Sequence, residues 1–245
     1  WLPRPAIALV AALLIIPHNL LDPIRSSSPL WMAWHQADFL PLWERGGILF
    51  RYPLMPWIGL IAAGYALGPV FQRDLPSRQR VLWLGAGALL LSFMLLRASN
   101  LYGDPHPWVS PGRGVMFDLM AFVNVEKYPP SLQYILVTCG IGLALLAVFD
   151  RFKPVGFLQL FGRVPMFFYV IHIALIHLLG NLYLTLRFGR PPGVVDGQWS
   201  LPPGYEPSLA VVYIAWVGVM LIMYALCRAW ALRGQKRRVV AQPAA

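Results

Sequence analysis

The chain has 245 residues, 58% of them hydrophobic and 12% charged, with 10 tryptophans, 13 phenylalanines and a formal net charge of +10. Soluble domains carry about 25% charged residues, so this composition, with a mean hydropathy of +0.59, excludes an ordinary soluble fold. It points to an all-α, polytopic transmembrane helical bundle.

Apolar runs that suit membrane helices lie, in chain order, near 5–21, 53–70, 80–97, 131–149, 164–182 and 208–231. That makes about six spans in a single integral membrane domain over 1–245. Prolines fit for a helix's first turn stand at or near several starts: Pro53, Pro56, Pro129, Pro130, Pro165 and Pro207. Pro17 is placed to kink or end the first run. Residues 114–124 read as a short interfacial helix with Asp118 and Asn124 as its polar positions. Cys139 and Cys227 sit inside apolar runs without the spacing of a disulfide framework or metal site, and both read as small core residues. The chain opens at Trp1 almost directly in an apolar run with no signal-peptide pattern, so the expectation is a fragment whose preceding residues are missing.

Charge sets the orientation. Segments 71–80 and 150–163 and the C-terminal end hold eleven basic residues against two acids, Asp74 and Asp150. The other three connections, 22–52, 97–130 and 183–207, hold eight basic residues and eight acids over more chain. The positive-inside rule puts the basic set, including Arg73, Arg78, Arg80, Arg151 and Lys153, in the cytoplasm with the C-terminus. The net charge is then topology and contact with anionic membrane lipids, and nucleic acid is not implied.

In that frame, costly polar groups gather at the outer ends of the helices. The first run ends in His18, Asn19 and Asp22; the third leads into Asn100, Asp104 and His106; Glu126 and Lys127 precede the fourth. The fifth carries His172 near mid-membrane and His177 and Asn181 toward the outside. Ionisable residues at membrane depth are read first as functional. Plainer roles exist for each: a bond to a neighbouring helix for His172, an interfacial anchor for His177 and Asn181, a cap or headgroup contact for His18 and Asn19, and snorkelling for Arg97. Trp31, Trp34, Trp43, Trp57 and Trp108 fit an aromatic belt or a sugar-stacking platform. His172 and His177 are five apart, about 140° around a helix, so they form no metal clamp, and no metal site is expected.

Histidine beside Asn and carboxylates suits general acid–base work. The chain has no G-x-S-x-G elbow, Walker loop, G-x-G-x-x-G or Cys-x-x-Cys, so hydrolase, NTPase and redox readings lack their usual support. Acyl transfer and transport remain.

The stretches "HNLLD" (18–22), "YPLMPWIGLIAAGYALG" (52–68), "NLYGDPHPW" (100–108), "NVEKYPPSLQYILVTCGIGL" (124–143) and "GRVPMFFYVIHIALIH" (162–177) resemble the heparan-alpha-glucosaminide N-acetyltransferase-like family, in its bacterial multi-span branch. The resemblance covers nearly all of the chain. It implies a transmembrane acyltransferase in the bacterial inner membrane that passes an acetyl group from cytosolic acetyl-CoA to an amino sugar or glycan on the periplasmic side. The family's opening Asp-x-x-Arg-Gly run and its polar histidine are not in this sequence, so the chain matches the later part of a larger acyltransferase-like protein. The resemblance therefore assigns the nucleophile to none of the five histidines here.

On this reading His18, His172 and His177 line the site. Asn19, Asp22, Asn100, Asp104, His106, Glu126, Lys127 and Asn181 hold the acceptor, and Arg73, Arg78, Arg80, Arg151 and Lys153 meet the phosphates of acetyl-CoA. No cofactor is expected to stay bound, acetyl-CoA being a co-substrate, and a homo-oligomer is open. The competing readings are a transporter or flippase-like protein, whose mid-membrane histidine relays protons, and a non-catalytic membrane subunit.

Overall fold

Pro17 decides how the first run folds. In the computed structural model α1 covers Arg4–Ile15, twelve residues, and the chain then tightens into a 3₁₀ turn over His18–Leu21. At 1.5 Å per residue, the twelve residues of α1 extend about 18 Å. Five other helical segments are long and apolar enough to cross a membrane: Leu54–Gln72, Leu75–Ser99, Leu132–Phe149, Pro165–Phe188 and Leu209–Arg233. The protein is an all-α, polytopic helical protein with two small antiparallel hairpins. The structure describes residues 2–43, 46–153, 155–195, 198–206 and 208–240. Pro207 lies outside them, and the side chains of Lys236, Arg237 and Arg238 are likewise not described.

The chain divides into two compact units, 1–152 and 153–245. In the first unit, α2 (Pro29–Trp34) and a hairpin of β1 (Asp38–Trp43) and β2 (Gly46–Phe50) precede α3 (Leu54–Leu67). The hairpin pairs Asp38 with Phe50 at its open end. Next come α4 (Leu75–Ser99), α5 (Val115–Val123) and α6 (Leu132–Phe149). α5 supplies the short helix expected over 114–124, and α4 starts earlier than 80 because the Asp74 side chain caps it, accepting from the Ser77 N–H at 3.2 Å.

Two helix pairs make the core. α1 and α3 meet where Gly59 lies against Leu14 and Ile15; a Cβ there would come within 2.8 Å of Ile15 Cγ1. α4 and α6 run antiparallel, with Gly140 against Leu90 (2.8 Å to a Cβ) and Phe93, Leu132 and Leu136 buried between them. Small residues let apolar helices approach closely when lipid supplies no hydrophobic drive between them.

At one end of this pair Arg78 grips Asp150 with two parallel bonds, Nε to Oδ2 at 2.7 Å and Nη2 to Oδ1 at 2.8 Å. Gln79 donates to the Ala147 carbonyl and to Asp150. The other end holds the polar cluster described below.

The second unit contains α7 (Gly156–Arg163), α8 (Pro165–Phe188), the β3 (Gly193–Val195) and β4 (Gln198–Ser200) hairpin, and α9 (Leu209–Val240). Val219, Met223 and Cys227 of α9 pack against Leu160, Phe168, Ile171 and Leu175. These repeat at three- and four-residue spacing, one face of a helix. Phe167 stacks on Trp230 at 4.7 Å.

Candidate functional site

The polar cluster of the first unit is built where three breaks in helix meet: the 3₁₀ turn after α1, the loop after α4, and the segment 124–131 before α6. Each break exposes backbone groups that need partners. His18, fully buried, places Nε2 2.9 Å from the Pro130 carbonyl and Nδ1 2.6 Å from that of Ile15. Burial holds its pKa below the ordinary value against the pull of those two carbonyls, so the neutral ring donates to one of them at a time. Beside it, Asn19 accepts from the Leu132 N–H at 2.8 Å and donates to Asp22 Oδ2 at 2.8 Å.

Asp104 organises the second layer. Its carboxylate accepts from the His106 N–H, the Glu126 N–H and the Ser131 hydroxyl, at 2.8–2.9 Å. Ser131 is also the N-cap of α6, accepting from the Tyr134 N–H. Arg97 is 3.8 Å from Asp104, and both side chains are at most 3% exposed. Its guanidinium donates to the carbonyls of His106, Ala121, Phe122 and Asn124. Snorkelling is thereby replaced by a buried staple: Arg97 supplies donors to the C-terminal carbonyls of α5 and to the His106 carbonyl in the loop before it. Asn100, in left-handed conformation at φ 52°, closes the same loop by bonding both backbone groups of Trp108. Tyr102 donates to the Ile16 carbonyl at 2.7 Å.

One pair is not absorbed into this scaffold. His35 Nε2 donates to Asp22 Oδ1 at 3.0 Å. Its Nδ1 is buried without a hydrogen-bond partner among the described residues. That tautomer leaves a lone pair on Nδ1. Burial opposes ionisation of Asp22 most strongly, yet the hydrogen bonds from His35 and Asn19 outweigh it and hold the carboxyl below its usual range. A cleft of about 50 Å³ lies against Asn19, Asp22, Arg25, His35, Gln36 and Pro129. Gln36 is fixed by accepting from the Ser26 N–H and donating to Asp38.

The structure thus brings together His18, Asn19, Asp22, Asn100, Asp104 and Glu126. Glu126 caps its own turn through the Lys127 and Tyr128 N–H groups and lies 3.4 Å from exposed His106. Lys127 is exposed beside the Tyr128 ring. In the second unit His172 and His177 each bond the carbonyl four residues back, Phe168 and Ile173, at 2.9 and 2.8 Å. Exposed Asn181 lies on the same helix. Of the basic set, Arg78 is held by Asp150 and Arg151 donates to Gln79. Arg73, Arg80 and Lys153 are exposed and form no ion pair among the described residues. No group of three or more metal-ligating side chains occurs among the described residues.

Sequence reasoning missed His35, Gln36 and Ser131. The signals were present: "WHQAD" (34–38) is a polar interruption in a Trp-rich loop, and Ser131 after two prolines is an N-cap pattern. No family model matches the chain, and no curated protein or solved structure matches it at a significant level.

Proposed function

We propose that the protein is a multi-pass membrane acyltransferase, resembling the heparan-alpha-glucosaminide N-acetyltransferase-like family. It moves an acetyl group from acetyl-CoA to an amino sugar or glycan on the periplasmic side of a bacterial inner membrane, with its C-terminus cytoplasmic. The observation that carries this reading is the Asp22–His35 pair in the wall of a cleft: a carboxylate fixes one ring nitrogen, and the other is buried without a hydrogen-bond partner among the described residues. A histidine oriented in this way is a general base.

The acceptor's amine or hydroxyl attacks the acetyl carbonyl while its proton passes to His35 Nδ1. The C–S bond of the thioester then breaks, the electron pair leaves with sulfur, and the protonated ring returns its proton to the thiolate. Asp22 stabilises the imidazolium in between. Exposed Arg73 and Arg80 lie at the opposite end of α4 from the cluster, about 30 Å away along the helix, so the phosphates of an acetyl-CoA whose thioester reaches His35 are held by other groups. A proton-relaying transporter would draw on the mid-membrane His172, whose Nδ1 bonds the Phe168 carbonyl of its own helix.

The test is to incubate the full chain in proteoliposomes with radiolabelled acetyl-CoA and a panel of amino sugars. Label recovered in a sugar is the expected result. A folded sample that labels neither itself nor any sugar contradicts the reading.

A further inference from the structure

Arg51 and Lys127 reach the same aromatic ring from distant parts of the chain. The Arg51 guanidinium lies 4.5 Å from the Tyr128 ring centroid and the Lys127 ammonium 5.1 Å from it, so the two cations are within about 10 Å of each other. Neither forms an ion pair among the described residues. The neighbouring acid, Glu126, is turned to its own backbone turn and to His106. Two like charges sharing one ring repel, and an anion between them removes that cost.

Neutral donors stand in the same place. The Tyr52 ring meets Tyr128 edge-on at 5.5 Å, and Trp57 lies 6.2 Å from Tyr52. The Trp57 indole N–H is buried with no acceptor among the described residues, the condition that calls for a missing partner. Hydrogen bonding from Tyr52 and Lys127 holds the Tyr128 phenol below its ordinary pKa. An Arg fork and a Lys point charge held on one ring form a pair suited to phosphate oxygens.

We propose that Arg51 and Lys127, both placed on the Tyr128 ring, form a subsite for a phosphate ester. The position gives it a purpose. Pro129, next to Tyr128, lines the His35 cleft, and Phe50, next to Arg51, pairs with Asp38, which holds the cleft residue Gln36. A phosphorylated molecule bound here presents its remaining groups toward that cleft. The subsite stands on its own geometry, whether or not the cleft performs acyl transfer.

Phosphate chemistry has two sources at a membrane edge: a lipid headgroup and a soluble phosphate. The full chain in phosphatidylcholine nanodiscs is titrated with inorganic phosphate while tryptophan fluorescence is followed. In parallel, native mass spectrometry scores retention of phosphatidylglycerol against phosphatidylcholine. Saturable phosphate binding assigns a soluble ligand, and selective phosphatidylglycerol retention without it assigns a lipid; either supports the subsite. Arg51→Gln or Lys127→Gln is expected to weaken the responding arm about tenfold and the double variant to abolish it. Arg51→Lys keeps binding within about threefold, and Arg4→Gln leaves it unchanged. No response in either arm from the unsubstituted protein, or full binding by a folded double variant, overturns the proposal.

Discussion

His18 Nε2 meets the Pro130 carbonyl at 2.9 Å across 112 residues of sequence. This contact joins the turn after α1 to the N-terminus of α6. It helps gather the polar groups of the first unit into one cluster, with the Asn19 and Asp104 bonds to the same segment.

Removing that ring is costly. His18→Ala leaves the buried Pro130 carbonyl without a donor and empties a fully buried site, so it should destabilise by at least about 1–3 kcal/mol. Thermal unfolding in detergent measures this, and an unchanged midpoint would deny His18 its role as the tie.

Arg97→Met should be more severe. The carbonyls of His106, Phe122 and Asn124 lose the Arg97 donor, that of Ala121 keeps only the Asn124 N–H, and Asp104 stays buried without its cation, a change worth about 3–5 kcal/mol. Hydrogen exchange over 104–126 reports it directly: fast exchange of that segment in the variant is the expected outcome.

Asp22 predicts an acid limb. Its folded pKa is depressed, so the stability it contributes is complete above the unfolded value near 4 and is lost as pH falls through the lower folded value. Asp22→Asn should flatten the unfolding midpoint against pH in that acid window. A variant that tracks the wild-type curve there would exclude the linkage.

Close helix packing sets another expectation. Gly140→Leu drives a side chain into Leu90, where even a Cβ comes within 2.8 Å, and should cost about 1–3 kcal/mol. By contrast His177→Leu changes an exposed ring bonded only to its own helix, and its unfolding midpoint should match wild type.

Much of the fold was legible in the apolar runs because a helix that crosses lipid must be long and continuous. Five of the expected runs are long enough to span, and the 114–124 helix is present as α5. The first run was read too long because Pro17 ends it after α1. Short elements such as α2 and the two hairpins carry little periodicity and escaped notice, whereas α7, only eight residues long, is strongly amphipathic and lies in a connection taken as a loop. Within the site, Asn19, Asp22 and Asp104 were legible because acids and amides at a membrane edge are expensive. The functions of Arg97 and Ser131 were not, since which carbonyls or carboxylate a side chain meets depends on loops that sequence spacing does not close. His35 was overlooked for a related reason: its partner Asp22 lies thirteen residues away across a turn and a short helix.

The central claim is that His35 takes the acceptor's proton. The direct measurement is kcat for acetyl transfer by His35→Gln against wild type, with unfolding midpoints showing that both are folded. A loss of about 10²–10⁴-fold in kcat with little change in KM for acetyl-CoA is the result expected of a general base. A folded His35→Gln protein with wild-type kcat would contradict it.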